Sequence, residues 1–238
     1  MISIIIPTLN EEKLIATTLN QFEDLKNKFD FEIIVSDNSS TDKTIEIASN
    51  YSCKLIKNKS LLKNIAVNRN LGAIHSKGHI LIFLDADILI KDVKLFFKQI
   101  IKEFNNPKLI ACSPKIFIDP KEEKYMDKII NRTHTLISVL LNKLSIGYAR
   151  GGCQIIRSSA FKKINGYNKN LIAGEDVELF NRLGKLGKIK ILSNIVVYES
   201  PRRYRGKGYI HVLSNWFINY IYALLFNKSY SKEWKDIR

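Results

Sequence analysis

The most constraining feature of this sequence is a run of five apolar residues that ends in two acids. Residues 80–84 read Ile-Leu-Ile-Phe-Leu, and Asp85-Ala86-Asp87 follows directly. A short apolar run bounded in this way is typical of a strand buried on both faces, as in a parallel sheet covered by helices. Residues two apart in an extended chain point the same way. We therefore expect the carboxylates of Asp85 and Asp87 to project together from the carboxyl end of this strand.

Paired carboxylates at the mouth of a sheet are typical ligands of a hard divalent cation. Mg²⁺ takes one or two carboxylates and fills its other positions with water and substrate phosphate. Asp also favours turns and helix starts, so an isolated Asp-x-Asp pair equally indicates a turn. The choice between a metal site and a turn depends on which residues follow the other strands.

The first 120 residues alternate between strand and helix patterns. Strand patterns occupy residues 3–6, 31–36, 53–56 and 109–118, with helical periodicity between them. This alternation predicts an α/β fold with a doubly wound, mostly parallel sheet and helices on both faces. Ligands of such sheets bind beyond the carboxyl ends of the strands. Polar residues stand at three of these ends, in Pro7-Thr8-Leu9-Asn10, Asp37-Asn38 and Asp85-Ala86-Asp87.

Two single residues refine this prediction. Asn10 has the character of a helix N-cap, because Glu11 and Glu12 would follow it in the first turn. Pro114 indicates an edge position or a bulge in its strand, since proline cannot donate to a sheet ladder.

The second half of the chain is less regular and predicts a mixed sheet. Helical periodicity covers residues 122–144, and strand patterns cover residues 153–156, 189–192 and 195–198. A helix opens after Gly174, and a last amphipathic helix over residues 209–226 precedes a polar tail. Because no repeat or linker interrupts the chain, we expect one domain over residues 1–238. Its parts would be a ligand-binding half (1–120), a second half (121–208) and the C-terminal helix and tail (209–238).

The charge balance points to an anionic partner. Lys and Arg number 38 against 23 Asp and Glu, which gives a net charge of +15 and a pI near 9.6. A phosphorylated substrate, an anionic membrane face or a nucleic acid would suit this charge. Aromatic residues are not interleaved with a basic stripe and no nucleic-acid-binding module is recognisable, so we do not expect nucleic acid as the partner.

Several features predict a cytoplasmic protein. The three cysteines are odd in number and lack metal-ligand spacing, which favours a reducing compartment. The N-terminal residues lack the pattern of a signal peptide, and no apolar run approaches the ~20 residues that span a bilayer. The last helix nevertheless has an apolar stripe, which predicts either core packing or peripheral contact with the inner face of the cell membrane. The stripe consists of Trp216, Phe217, Tyr220, Ile221, Leu224 and Leu225.

Common phosphate-binding and nucleophile motifs are absent from the sequence. No Gly-x-Gly-x-x-Gly follows the first strand, and there is no Walker A run and no Gly-x-Ser-x-Gly elbow. A nucleotide bound here would therefore need a metal ion and basic side chains instead of a glycine-rich loop. The paired Asp residues and the excess of Lys and Arg supply both.

Six blocks of sequence, taken in order, resemble family 2 glycosyltransferases of the GT-A fold. The resemblance covers about residues 2–208, and six ordered blocks are far more specific than any one of them. The blocks are Ser-Ile-Ile-Ile-Pro-Thr-Leu-Asn-Glu at 3–11, Val-Ser-Asp-Asn-Ser-Ser-Thr-Asp-Lys-Thr at 35–44, Arg-Asn-x-Gly at 69–72, Phe-Leu-Asp-Ala-Asp at 83–87, Gly-Gly-Cys-Gln-Ile-Ile-Arg at 151–157 and Gly-Glu-Asp-Val-Glu-Leu at 174–179.

The resemblance implies a metal-dependent enzyme that moves a sugar, with inversion, from a nucleoside diphosphate donor to a glycan or polyprenyl-linked acceptor. It implies that Asp85 and Asp87 hold Mg²⁺ or Mn²⁺, with Asp87 the more direct ligand. The implied donor-binding residues are Pro7, Thr8, Asn10, Glu11, Asp37, Asn38, Arg69, Asp85 and Ala86. Asn38 stands where the family has a second acid that reads the ribose and base, so the base preference stays open.

The resemblance also implies roles in the second half. Asp176 matches the general base, although an acid in a first helical turn also complements the helix dipole. The implied phosphate or acceptor contacts are Gly151, Gly152, Glu175, Arg202 and Arg203, and for the two arginines a solvated loop is the alternative. The Gln-x-x-Arg-Trp run of processive members is absent, which favours single transfers. A sugar nucleotidyltransferase is the rival enzyme class, but its Gly-rich basic N-terminal loop is missing.

Overall fold

The computed structural model describes residues 1–232, and a single eight-stranded sheet organises them. The strand order is β3-β2-β1-β4-β7-β6-β8-β5. The strands are β1 (Ile2–Thr8), β2 (Phe31–Asp37), β3 (Lys54–Lys57), β4 (Ile80–Leu84), β5 (Leu89–Ile90), β6 (Leu109–Ile118), β7 (Cys153–Arg157) and β8 (Lys188–Glu199).

Helices cover both faces of this sheet, as the alternating pattern predicts. The helices are α1 (Ile15–Asn20), α2 (Thr44–Ala48), α3 (Ile65–Ile74), α4 (Val93–Phe104), α5 (Tyr125–Lys143), α6 (Ser158–Lys163), α7 (Glu175–Gly184), α8 (Arg202–Lys207) and α9 (Tyr209–Phe226), and a 3-10 turn spans Glu23–Leu25. The predicted α/β fold with a parallel first half and a mixed second half is confirmed.

Strand β4 lies near the middle of the sheet and is buried on both faces. It pairs in parallel with β1 and antiparallel with β7. Ile82 and Leu84 pack into one hydrophobic cluster, and Leu81 and Phe83 pack into the cluster on the opposite face. Alternate side chains of one apolar run therefore serve two separate cores. This placement fixes the position of the two acids that follow the strand.

The strands beyond β4 differ from a simple continuation of the parallel sheet. Strand β7 lies between β4 and β6 and runs antiparallel to both. The two strands predicted at 189–192 and 195–198 form one strand, β8, which pairs in parallel with β6. Leu192 of β8 lies opposite Pro114 of β6, and the next pair is Val196 opposite Lys115. Residues 193–195 of β8 therefore form a bulge between these two pairs. The bulge beside Pro114 confirms the prediction for that residue and explains why the pattern suggested two strands.

The start of the first helix is a correction to the sequence prediction. Asn10 does not cap a helix, because α1 begins at Ile15. The backbone of Asn10 has φ 52°, and its side-chain oxygen accepts a hydrogen bond from the Thr41 backbone N–H at 2.6 Å. Asn can adopt this left-handed conformation and then bonds a neighbouring loop instead of its own helix. At the other end of the chain, residues 233–238 of the predicted polar tail lie outside the described residues.

Candidate active site

The ends of β4 and β7 open into a cavity of about 570 Å³. Leu84 of β4 lies opposite Cys153 of β7, so the residues after β4 meet those before β7. The backbone N–H of Asp85 donates to the carbonyl of Gly152 at 3.0 Å. The predicted site residues that line the cavity are Arg69, Asp85, Asp87, Gly151, Gly152, Glu175, Asp176, Arg202 and Arg203.

Arg69 of α3 is the buried centre of this cluster. One of its terminal nitrogens contacts Asp85 Oδ1 at 2.7 Å, and the other contacts Glu175 Oε1 at 2.9 Å. The guanidinium also donates to the Gly151 carbonyl at 3.3 Å and lies 5.4 Å from the ring centre of Tyr167. A planar guanidinium is suited to holding two carboxylates in a fixed relation. Arg69 thus connects the acids after β4 to the acids at the start of α7.

The two acids at the start of α7 differ in their partners. Glu175 is buried against Arg69, and burial, together with the charge of Asp176, raises its pKa to about 7. Burial also raises the pKa of Asp176, although Arg69 opposes this shift. The Asp176 carboxylate accepts the backbone N–H of Val177 at 2.8 Å and borders the cavity. A Cβ added to Gly151 would lie 3.1 Å from Asp176 Oδ2, so glycine leaves room there for the acid.

Arg202 of α8 reaches across the cavity to the loop after β1. Its terminal nitrogens bond both carboxylate oxygens of Glu11, at 2.9 and 3.0 Å, and approach Asp87 Oδ2 at 3.4 Å. Burial raises the pKa of Asp87 to about 7, and Arg202 opposes this shift. Asp85, Glu199 and Glu11 add to the negative charge around Asp87. This corner of the cavity therefore concentrates carboxylates that attract a cation.

The remaining predicted donor residues lie in the neighbouring strand ends and outside the cavity lining. Thr8 and Asp37 are buried, and the Thr8 hydroxyl donates to Asp37 Oδ1 at 3.1 Å. The Asn38 side-chain oxygen accepts from Asn58 at 2.8 Å. Ala86 is also buried, and its carbonyl accepts the Thr18 hydroxyl at 2.6 Å. Pro7 lies within β1, and Glu11 is tied to the cavity through Arg202. The donor-binding roles of these residues stay predictions.

Sequence reasoning missed the wall of the cavity that faces α5 and α9. Arg150 bonds Glu199 and donates to Asn131 Oδ1 at 2.8 Å, and it lies 5.7 Å from the ring centre of Trp216. His134 of α5 contacts the same Trp216 ring at 5.9 Å, and burial lowers the pKa of His134 to about 4. The further residues of this wall are Ile137, Leu141, Tyr148, Leu213, Phe217 and Tyr220. Two signals were available. Arg150 stands directly before Gly151-Gly152, and Trp216, Phe217 and Tyr220 belong to the apolar stripe predicted for the last helix.

Comparison with known proteins identifies the family. The sequence model described as Glycosyl transferase family 2 matches residues 3–165, which is more than half of the chain. The chain belongs to glycosyltransferase family 2.

Characterised relatives of this glycosyltransferase are much longer proteins. The poly(ribitol-phosphate) beta-N-acetylglucosaminyltransferase TarS of Staphylococcus aureus is 35% identical over 209 residues, covering 84% of this chain and 35% of TarS. Chondroitin synthase of Escherichia coli is 28% identical over 131 residues, covering 53% of this chain and 19% of that enzyme. The chain spans about a third or less of the length of these two relatives.

Solved structures of glycosyltransferases share the fold. TarS 1–349 of S. aureus in complex with UDP superimposes with a TM-score of 0.63 at 20% identity, over 86% of this chain and 62% of that one. The mannosyltransferase PcManGT of Pyrobaculum calidifontis, in complex with GDP-Man and Mn²⁺, gives a TM-score of 0.71 at 17% identity, over 97% and 65% of the two chains. The glycosyltransferase therefore has the GT-A fold that the sequence predicted.

The donor set of the cavity fits a divalent cation that shares its ligands with a substrate. Within residues 1–232, no group of three His, Cys, Asp or Glu side chains could hold a metal ion by itself. Asp85 and Asp87 supply two carboxylates, and Mg²⁺ and Mn²⁺ suit oxygen ligands completed by water and phosphate. The ion would therefore bind together with the phosphates of a donor.

Proposed function

We propose that this glycosyltransferase moves a sugar from a nucleoside diphosphate donor to an acceptor hydroxyl or phosphate, with inversion at the sugar carbon. One observation carries the proposal. Asp85 and Asp87 at the end of β4, and Asp176 at the start of α7, line a single cavity although they are far apart in sequence. An acid pair for a metal–diphosphate and a separate acid for an acceptor are the two parts that a single displacement needs.

Asp85 and Asp87 would hold Mg²⁺ or Mn²⁺, and the bound ion would neutralise charge that develops on the leaving diphosphate. Arg202 contacts Glu11 and Asp87. Its guanidinium lies close enough to the acid pair to contact the diphosphate when a donor binds. Arg203 lines the same cavity and adds a second cation. Fixed positive charges aimed at the leaving group stabilise it without reorganisation during the reaction.

Asp176 would act as the general base. The acceptor oxygen forms a bond to the anomeric carbon, the bond from that carbon to the phosphate oxygen breaks, and the nucleoside diphosphate leaves with the electron pair. The acceptor proton passes to the Asp176 carboxylate. Arg69 keeps Glu175 paired and so leaves Asp176 as the acid that can take this proton. One displacement without a covalent intermediate inverts the configuration.

The loops after β1 and β2 would bind the nucleoside. Asp37 and Asn38 end β2 directly beside Thr8, and these residues would read the ribose and base. TarS has been crystallised with UDP and the Pyrobaculum mannosyltransferase with GDP-Man, so uridine and guanosine donors are the first to test. The proposed acceptor is a glycan or a polyprenyl-linked molecule that receives one sugar at each encounter.

A donor screen tests this proposal. The binding of UDP-, GDP- and dTDP-sugars is measured by calorimetry with Mn²⁺, with Mg²⁺ and with EDTA, and nucleoside diphosphate release is followed in parallel. We expect one nucleotide class to bind in the presence of the metal and to lose both binding and turnover in EDTA. Asp87→Asn should lose donor binding, because a neutral amide is a poorer cation ligand. Full turnover in EDTA, or full activity of Asp87→Asn, would remove the metal role.

A further inference from the structure

Helix α5 buries polar residues and exposes apolar residues, although Ile130 is also buried and Arg132 is exposed. The buried residues of α5 include Asp127, Asn131 and Ser138. Asp127 accepts hydrogen bonds from Arg205 and Tyr209, and Asn131 accepts one from Arg150. These bonds fix the orientation of the helix. An outward ridge of Tyr125, Ile129, Leu136 and Leu140 is consequently exposed. These residues recur at the spacing of one helical face, so they form a continuous stripe.

Helix α9 has the same property. Its buried residues are Val212, Asn219 and Ala223, one of them polar. Ile210, Phe217 and Leu225 are exposed and again recur along one face. Lone exposed apolar residues are ordinary on protein surfaces, but two helices with continuous outward stripes indicate an interaction surface. We define the docking face as Tyr125, Ile129, Leu136 and Leu140 of α5 together with Ile210, Phe217 and Leu225 of α9.

The active-site cavity runs between these two helices. His134 and Trp216 meet at 5.9 Å between ring centres and join α5 to α9. Ile137 of α5 and Phe217 of α9 line the cavity and are also exposed. The apolar wall of the cavity is therefore continuous with the apolar residues beside the docking face. A molecule with a polar head and a hydrocarbon tail could place its head near Asp176 while its tail stays between α5 and α9.

Beyond the first turn of α5, which Glu122 and Glu123 precede, the charged residues of the two helices are cations. The sequence has no Asp or Glu between Asp127 and Glu175, and none between Glu199 and Glu233. Arg132 and Lys143 are exposed on α5, three helical turns apart on the flank of its ridge. Cationic flanks on an apolar helix face are the composition of helices that lie in a membrane interface. Two copies of this face would set cations against cations, which opposes self-association.

We propose that the docking face binds the surface of an anionic lipid bilayer, so that the cavity between α5 and α9 opens toward a lipid-linked acceptor in that bilayer. Among residues 1–232, no helix is long and apolar enough to cross a membrane. The proposed contact is interfacial, with the apolar residues in the headgroup region and Arg132 and Lys143 beside anionic headgroups. The choice of acceptor rests on the proposed function, whereas the bilayer contact itself does not.

Flotation with vesicles tests the bilayer contact without donor or metal. The whole chain is mixed with vesicles of phosphatidylcholine alone, or with vesicles that also contain phosphatidylglycerol. We expect salt-sensitive binding to the anionic vesicles. Leu136→Gln with Leu140→Gln should reduce the affinity about tenfold or more, because the apolar contribution is lost. Arg132→Gln with Lys143→Gln should reduce it by about tenfold, since each cation near an anionic surface contributes several-fold.

Helix α4 offers matched controls. Leu95 and Ile101 are 40% and 44% exposed, close to the 59% and 49% of Leu136 and Leu140. Lys94 and Lys98 are exposed on the same helix. Leu95→Gln with Ile101→Gln, and Lys94→Gln with Lys98→Gln, change hydrophobicity and charge by the same amounts on a different surface. These variants should bind vesicles like the wild-type chain, and a loss equal to that of the α5 variants would overturn the assignment of the face.

Donor hydrolysis, measured on the same proteins, separates this inference from the proposed function. Leu136 and Leu140 lie outside the cavity lining, so their variant should hydrolyse the donor at the wild-type rate. Donor hydrolysis without vesicle binding would overturn the bilayer contact and leave the proposed function standing. Vesicle binding without hydrolysis of any nucleotide sugar would overturn the proposed function and leave the bilayer contact standing. The wild-type chain could instead form a dimer and bind no vesicles, with the double variant Leu136→Gln and Leu140→Gln monomeric. That result would assign the face to a second copy of the chain.

Discussion

Glu175 and Asp176 are neighbours in one helical turn, yet the structure gives them different environments. Glu175 bonds Arg69 at 2.9 Å and is buried. Asp176 bonds a backbone N–H of its own turn and borders the cavity beside Gly151. Both acids line the cavity and burial raises the pKa of both. A carboxylate held by a guanidinium is occupied by that contact, whereas a carboxylate that accepts only a backbone N–H can take up a proton from a substrate. This difference is the reason to assign the base to Asp176.

Replacing Asp176 by Asn tests that assignment. The amide preserves size but cannot accept the proton, so transfer should fall by about 10² to 10⁴. Metal-dependent donor affinity, measured by calorimetry, should stay close to that of the wild type because the donor contacts other residues.

Glu178 of the same helical turn is the matched control. It pairs with Arg182 at 2.7 Å instead of lining the cavity. Glu178→Gln should lower the free energy of unfolding by about 1–2 kcal/mol, as expected for bonds between charged groups, and leave transfer nearly unchanged. A normal transfer rate in Asp176→Asn would exclude Asp176 from the mechanism.

The pH dependence of transfer follows from the raised pKa of Asp176. A base works only when it is unprotonated, so activity should be lost as the pH falls through this pKa. Because burial raises the pKa, the acid limb of kcat/KM should lie above about pH 3.9, the ordinary value for Asp. The measurement is a pH profile of kcat/KM for the wild type. An acid limb that persists unchanged in the residual activity of Asp176→Asn would contradict this origin.

At the scale of elements, the short helix α8 joins the active site to the body of the protein. Arg202 faces the cavity and bonds Glu11, whereas Arg205 faces α5 and donates to the buried Asp127 at 3.2 Å. Arg202 therefore belongs to the active site, and Arg205 belongs to the packing between α8 and α5. Substituting Arg202 should change donor affinity, whereas substituting Arg205 should change the free energy of unfolding.

Arg202→Gln should weaken metal-dependent donor binding by about tenfold or more, since a charge-assisted contact to the diphosphate is lost. Its melting temperature should change little, because Glu11 and Arg202 are both partly exposed. Arg205→Gln should instead lower the free energy of unfolding by about 2 kcal/mol, because the buried Asp127 loses its charged partner. Calorimetry and thermal melting on both variants make the comparison. Equal donor affinity in Arg202→Gln and the wild type would reject the diphosphate contact.

At the scale of the whole molecule, the cavity gathers residues from α3, the end of β4, the start of β7, α7, α8 and α9. A ligand that contacts so many elements stabilises the folded chain as a unit. Asp85 and Asp87 already contact Arg69 and Arg202, so a metal ion alone gains little there. The donor phosphates supply the ligands that the two Asp residues lack.

Thermal melting should therefore show synergy between metal and nucleotide. Mn²⁺ alone, or the nucleoside diphosphate alone in EDTA, should shift the melting temperature only slightly. The two together, at about 100 times the dissociation constant, should raise it by about 5–10 °C. Scanning fluorimetry with UDP and GDP measures this effect. A full shift by nucleotide in EDTA would show that binding needs no metal.

The sequence by itself determined the elements whose patterns are local. Alternating apolar strands predicted the sheet, and the run before Asp85 predicted a strand buried on both faces because its side chains had to fill two cores. Seven predicted site residues from the ordered motifs, together with Arg202 and Arg203, line one cavity, although their roles stay predictions. Residues of different motifs come together because the carboxyl ends of neighbouring strands meet at one edge of a sheet, whatever connects them.

Only the tertiary structure decided which groups face one another. Arg69 pairs with both Asp85 and Glu175, and Arg202 pairs with Glu11, through contacts that no local pattern encodes. The apolar periodicity of α5 predicted a helix correctly but could not reveal which side is buried. Hydrogen bonds from Arg205 and Arg150 to Asp127 and Asn131 turn that helix so that Leu136 and Leu140 point outward. Periodicity defines a face, whereas the partners available in three dimensions determine what that face contacts.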